Sequence, residues 1–161
     1  MPRKLRYTPD GGALYEITCR AIHSRFLFRP SPLFNEILVG ILARAQRRYG
    51  VEISAFCCLS NHFHILAWVE DSQQLSRFMG FVCSKLAREV GRLTGWREKI
   101  FPRRYQAILV SEEEAAQVER LVYLLSHGVL HLVGYDDHNE AGYQAMVSIQ
   151  HAVMQAIGQK A

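Results

Sequence analysis

Residues 51 to 69 hold two apolar runs, Val51 to Leu59 and His62 to Val69, separated by Ser60-Asn61, and no other stretch limits the fold as tightly. The polar pair is a turn signal, so the two runs read as strands joined by a hairpin-like turn. Side chains alternate along a strand, which puts His62 and His64 on one face while Phe63 points into the core. Two imidazoles held by rigid strand can chelate a divalent metal, whereas two on a loop would first have to be ordered. Placed on an open sheet face, such histidines would serve as ligands and fill no core. A bare His-x-His is equally the pattern of two ordinary strand histidines, so the rest of the chain has to decide.

The neighbouring signals predict an alternating order of elements. A first strand is expected at about 13 to 22. Pro30 and Pro32 bracket a helix start with Ser31 as N-cap, and Phe34, Ile37, Leu38, Ile41, Leu42 and Ala45 keep helical spacing until Gly50 stops it. Asp71 or Ser72 caps a long helix through about Leu93, with Leu75, Phe78, Met79, Val82, Leu86 and Val90 on one face. Tyr105 to Val110 reads as a further strand, Ser111 as the cap of an acidic helix start that runs to about Leu132, and Glu140 to Ile157 as a final amphipathic helix after a break at Gly134. The order β-α-β-β-α-β-α suits the α+β class: a small antiparallel sheet with helices packed on it, as in ferredoxin-like domains, plus a C-terminal helix.

At 161 residues, 49% hydrophobic and 21% charged, the chain can build a proper core, and disorder is not expected. The charge of +4 and pI near 9.0 are unevenly spread. Residues 1 to 50 carry nine Lys/Arg against three acids and residues 77 to 104 eight against two, while residues 127 to 161 carry one lysine against three acids. A basic body with an acidic end points to an anionic partner on the first two thirds, with nucleic acid the default candidate. Cys19, Cys57, Cys58 and Cys83 form no C-x-x-C pair; Cys57 and Cys58 should face opposite ways on a strand, and all four read as small buried hydrophobes of a reducing compartment. With no apolar run near about 18 residues and no apolar leader, a cytoplasmic protein without membrane contact is expected.

Two further features carry chemistry. Tyr123 and His127 lie four residues apart, on one helical face. A tyrosine beside a metal site is a candidate nucleophile for a phosphodiester if a cation neutralises the phosphate oxygens, and His127 is then a candidate third ligand beside His62 and His64. The second is the loop 94 to 104, where Trp96, Arg97, Lys99, Phe101, Arg103 and Arg104, with Tyr105 following, suit a strand-tracking groove in which rings stack on bases and cations meet phosphates. Tyr105 is the rival nucleophile, ranked lower because its strand position beside an Arg-Arg pair fits substrate contact better.

Together, Leu59-Ser-Asn-His-Phe-His-Ile-Leu, the early Tyr15-Glu-Ile-Thr-Cys-Arg strand, Arg77-Phe-Met-Gly through Leu86-Ala-Arg-Glu, and Arg103-Arg-Tyr-Gln resemble the single-tyrosine HUH transposases, especially the REP-associated tyrosine transposases. The resemblance spans about residues 1 to 127. It implies an HUH nuclease fold and cleavage of single-stranded DNA, including hairpin-forming repeats, by a monomer or a homodimer. It also implies Mg²⁺ or Mn²⁺ held by His62, His64 and His127, with Tyr123 forming a 5′-phosphotyrosine and a DNA 3′-OH rejoining the strand. The family's usual residue at position 127 is an amide rather than histidine.

From His127 the chain departs from that pattern. His127-Gly-Val-Leu-His131-Leu-Val-Gly134-Tyr-Asp-Asp137-His138 resembles the zinc-binding end of the YbeY endonucleases of ribosomal RNA maturation, over about residues 126 to 158. Histidines at i and i+4 share a helical face, and a glycine turn brings back a third ligand, here Asp137 or His138. The implied division is a transposase-like domain over 1 to 132, followed by a C-terminal turn and helix over 133 to 161 that is not an independent domain. The leading expectation is a metal-dependent DNA strand transferase. Its rivals are a zinc-dependent endoribonuclease using Zn²⁺ at His127, His131 and Asp137 or His138, and a non-catalytic nucleic-acid-binding domain.

Overall fold

The computed structural model describes residues 8–110, 113–135 and 139–158. The chain divides into two compact units, Met1–Val110 and Ser111–Ala161, so the packing boundary precedes the helix that bears Tyr123, whereas the motif patterns put theirs after Leu132.

The first unit runs β1 (Ala13–Arg20), α1 (Pro32–Tyr49), β2 (Glu52–Cys58), β3 (His62–Val69), α2 (Ser72–Thr94) and β4 (Gln106–Leu109). The strands form one sheet in the order β2-β3-β1-β4, with every neighbouring pair antiparallel. This is the expected α+β arrangement: β1-α1-β2 and β3-α2-β4 are each a crossover between strands that skip one position in the sheet, the split βαβ of ferredoxin-like domains.

Local signals set both long helices. Ser31 Oγ accepts the Phe34 N–H at 3.1 Å to start α1, and Asp71 Oδ1 accepts from Gln73 and Gln74 at 2.7 and 2.6 Å to start α2. Gly50 and Gly95 end them with φ of 67° and 72°, a left-handed cap conformation that glycine adopts without strain. The buried stripe of α1 (Phe34, Leu38, Ile41, Leu42, Ala45) and that of α2 (Leu75, Phe78, Met79, Val82, Leu86, Val90) cluster with Tyr15, Ile17, Cys19, Phe63, Ile65 and Ala67 of the sheet. One sheet face is thereby committed to the core.

An extra residue in β2, Ser54, shifts the register between Ile53 and Ala55. Such a bulge re-phases a strand. Beyond it Cys57 pairs with His64 and Cys58 with Phe63, so the two cysteines do face opposite ways. Cys19 is buried and the other three are partly so, all as free thiols, with Cys19 and Cys83 in contact at 3.9 Å. A single 3₁₀ turn, Ile22–Ser24, interrupts the stretch after β1, which ends two residues before its expected limit.

The second unit is a helical hairpin of α3 (Glu114–Leu132) and α4 (Glu140–Gly158), with Leu124, Leu130 and Met146 buried. Gly134 ends α3 at φ 97° as expected; its N–H reaches the His131 carbonyl at 3.2 Å and that of Tyr135 the Leu130 carbonyl at 3.0 Å, the paired bonds of a Schellman cap. At the other end, Glu113 occupies the N-cap without a side-chain capping bond, while Ser111, the expected cap, lies outside the described residues. Among the described residues no helix is long and apolar enough to cross a membrane.

Candidate functional site

Because Phe63 and Ile65 belong to the helix-covered core, alternation turns His62 and His64 to the other face of the sheet. Their rings lie side by side, centroids 5.0 Å apart and planes at 69°. The antiparallel register adds neighbours from β1: Arg20 stands opposite His62, and Thr18 opposite His64, with Glu16 two residues further along the same face. Sequence reading identified the histidines and missed this row. Its visible signal is the alternation of Glu16, Thr18 and Arg20 with Ile17 and Cys19 along β1.

Hydrogen bonds fix both imidazoles. Glu16 Oε1 lies 2.9 Å from His64 Nδ1, and the Thr18 hydroxyl 3.2 Å from the same nitrogen. A carboxylate only accepts, so Nδ1 carries the proton and the ring's lone pair sits on Nε2. His62 Nδ1 bonds Asn61 Oδ1. The Asn61 amide is oriented in turn by its Nδ2, which donates to the Ser24 carbonyl at 3.4 Å, so His62 also carries its proton on Nδ1. This tautomer, with Nδ1–H held by an oxygen, is the usual state of a metal-ligating histidine. Burial pushes the Cys57 thiol, opposite His64, above its ordinary pKa, and burial first and then Cys57 push Cys58 up to about 12. His62 is fully buried while the His64 side chain keeps 12% of its exposure, which corrects the expectation that neither histidine fills core.

The loop between α2 and β4 sorts its residues by burial. Ile100 and Tyr105 are buried in the first unit's core, and Phe101 packs on Phe28 and Phe63 with centroids 5.8 and 6.0 Å away. Arg97, Lys99, Arg103 and Arg104 are exposed. Trp96 packs against the core, and the Arg25 guanidinium lies 4.9 Å from its ring centroid. Tyr105 itself is only 7% exposed, with the Arg104 guanidinium 5.3 Å from its ring centroid, and its ring packs with the core.

In the second unit, Tyr123 is half-buried on α3, with the Arg120 guanidinium 5.0 Å from its ring centroid. Its carbonyl accepts from Ser126 Oγ at 2.9 Å and from Gln150 Nε2 of α4 at 3.2 Å, which ties this turn to the hairpin. Burial, then the nearby Tyr143 phenol, raises the Tyr123 pKa, against smaller opposing effects of Arg120 and Gln150. His127 and His131 bring their rings to 4.7 Å, nearly perpendicular at 83°. Asp137 and His138 lie outside the described residues.

The family described as "Transposase IS200 like" matches residues 13–123, more than half of the sequence. The chain belongs to the IS200-like transposase family. A second family, "Endoribonuclease YbeY", matches residues 105–158, beginning well upstream of the resemblance expected from residue 126. Each match therefore covers most of one packing unit, and the two overlap over residues 105–123, from β4 through the first half of α3. A curated endoribonuclease YbeY from Syntrophomonas wolfei is 40% identical over 53 residues, which are 32% of this chain and 34% of that protein, so the chain spans about a third of this relative's length. Two solved structures share the transposase-type fold. A Deinococcus radiodurans R1 protein described as a transposase has a TM-score of 0.51 at 16% identity, over 76% of this chain and 95% of its own. A REP-associated tyrosine transposase bound to a REP hairpin has a TM-score of 0.56 at 16% identity, over 81% and 74%.

Two outcomes follow from the geometry of the first unit. His62→Ala takes the ring from a fully buried site and leaves Asn61 Oδ1 without that donor, so urea unfolding should show a loss of about 1–3 kcal/mol. Stability equal to the parent protein would mean that the ring is not held as described. Replacing the exposed Arg103 and Arg104 by alanine should weaken single-stranded DNA binding and flatten its salt dependence, each lost phosphate contact removing roughly 0.7 from the log-log slope. An unchanged slope would place the DNA elsewhere.

Proposed function

We propose that this protein cleaves and rejoins single-stranded DNA through a covalent 5′-phosphotyrosine at Tyr123. The observation that carries the reading is the His62–His64 pair, with both rings turned by Asn61 and Glu16 into the tautomer that presents Nε2, in a chain whose transposase-family match ends on the tyrosine itself. The assignment of Tyr123 and His127 to work with that pair rests on the order of motifs along the chain. On the same basis the functional domain runs through residue 132, and the substrate class includes hairpin-forming repeats, since a structural relative is bound to a REP hairpin.

His62, His64 and His127 would hold Mg²⁺ or Mn²⁺, which when bound neutralises the scissile phosphate and supports loss of the phenolic proton. Tyr123 Oη attacks phosphorus, a Tyr–O–P bond forms, and the P–O3′ bond breaks, with the departing 3′ oxygen taking up a proton. In the return step a DNA 3′-OH attacks the phosphotyrosine and expels the phenol. One phosphodiester is exchanged for another of similar energy, so no nucleotide cofactor is consumed. Arg97, Lys99, Arg103 and Arg104 meet the DNA backbone, and Trp96 holds the loop that carries them.

Tyr123→Phe removes only the nucleophilic oxygen. On a denaturing gel with labelled single-stranded DNA and Mn²⁺, the parent protein should give a covalent adduct and the variant none, with DNA binding nearly intact. Because its raised pKa keeps the phenol protonated at neutral pH, adduct formation should accelerate as pH rises toward that pKa. Undiminished adduct in Tyr123→Phe would end the reading.

One observation favours a second reading: His127 and His131 stand together on α3 within the YbeY match, as two ligands of a Zn²⁺ site for RNA hydrolysis would. Only this reading needs His131 together with Asp137 or His138. The double change His131→Ala with His138→Ala should keep tyrosine-dependent DNA cleavage. If the folded variant loses DNA cleavage along with a tightly bound zinc, the C-terminal site is the functional one.

A further inference from the structure

We propose that Glu16 is the residue that positions His64 as a metal ligand, a role that rests on the metal-dependent reading of the His62–His64 pair. Glu16 is only 3% exposed and stands opposite Leu66 of β3 and Ile108 of β4. An apolar residue would pack between those two at no electrostatic cost. Burying a carboxylate there is costly unless its hydrogen bonds are made, and the one to His64 Nδ1 at 2.9 Å is the shortest contact His64 makes among those described.

The geometry assigns this bond a chemical purpose. A neutral imidazole carries one proton, and the nitrogen that faces a carboxylate keeps it. Glu16 therefore selects the tautomer whose lone pair lies on Nε2, fixes the ring plane and makes that nitrogen more basic. The Thr18 hydroxyl, 3.2 Å from the same Nδ1, closes the other side. His62 is set the same way from a different part of the chain, by Asn61, so two unrelated local structures produce one result. A merely structural ion pair would require no agreement between the two tautomers.

The test uses the intact chain without DNA. Ring ¹⁵N correlations read the His64 tautomer in the metal-free protein, and an EPR titration reads Mn²⁺ affinity. The parent protein should show His64 protonated on Nδ1. Glu16→Leu should shift the proton toward Nε2 and weaken Mn²⁺ binding by roughly 10–100-fold. Glu16→Gln keeps an oxygen that can accept, and should hold the tautomer with a smaller loss of affinity. It also preserves side-chain volume, so it serves if the leucine variant fails to fold, and parent-like Mn²⁺ affinity in Glu16→Gln would then overturn the proposal. So would an unshifted tautomer in Glu16→Leu, unchanged Mn²⁺ affinity in that variant, or a parent protein that takes up no Mn²⁺. A parent protein that binds Mn²⁺ through Nδ1-protonated His64 yet forms no DNA adduct would end the strand-transfer reading and leave the role of Glu16 standing.

Discussion

The antiparallel register of β1 on β3 is the constraint on which the first unit depends. Ile17 opposite Ile65 and Cys19 opposite Phe63 supply the helix-covered face; Thr18 opposite His64 and Arg20 opposite His62 supply the other. Because side chains repeat every two residues, a slip of one would send the histidines into the α1–α2 core and Phe63 out of it. The register is therefore enforced by the burial of Tyr15, Ile17, Phe63 and Ile65, and the polar row is placed as a by-product of core packing. The bulge at Ser54 does the same for β2: were Ser54 paired with Leu66 instead of bulged, Phe56 rather than Cys57 would stand opposite His64.

The turn that begins β3 is held by a part of the chain remote from it in sequence. Ala21 donates to the Asn61 carbonyl at 2.7 Å, Phe28 to the Ser60 carbonyl at 2.8 Å, and Ile22 to the Ile100 carbonyl at 2.7 Å. Between these bonds, His23 and Ser24 adopt φ of 50° and 52°, conformations that cost non-glycine residues about 1–3 kcal/mol each unless the surroundings impose them. The bend aims the Ser24 carbonyl at Asn61 Nδ2, and this decides which amide atom faces His62. Strain in one loop thus ends as the tautomer of a histidine on a neighbouring strand.

Features with local causes were legible in the sequence. The bounds of β3, the Ser31 and Asp71 caps, the Gly50 and Gly134 stops and the apolar stripes of both long helices follow from residues within a turn or two of each other. The order of elements was enough to give the sheet class. Glu16 was not legible as a site residue, because its partner His64 lies 48 positions away and only the register joins them. The burial of Tyr105 was hidden for a related reason: an aromatic among arginines looks like a surface residue until the packing places its ring in the core. The shift in β2 was equally hidden, since Ser54 in a strand looks the same whether paired or bulged.

The overlap of two family patterns on α3 is itself a physical constraint. A helix places residues 123, 127 and 131 along one face, so Tyr123, His127 and His131 are neighbours whichever pattern shaped them. His127 can give its single neutral lone pair to one cation, and its ring lies 4.7 Å from that of His131. A helix tuned to hold zinc would orient His127 toward His131 and the turn beyond Gly134. One tuned for strand transfer would orient it toward the phosphate attacked by Tyr123. These demands compete for one χ1 rotamer on one residue. His127 therefore cannot serve both arrangements at once.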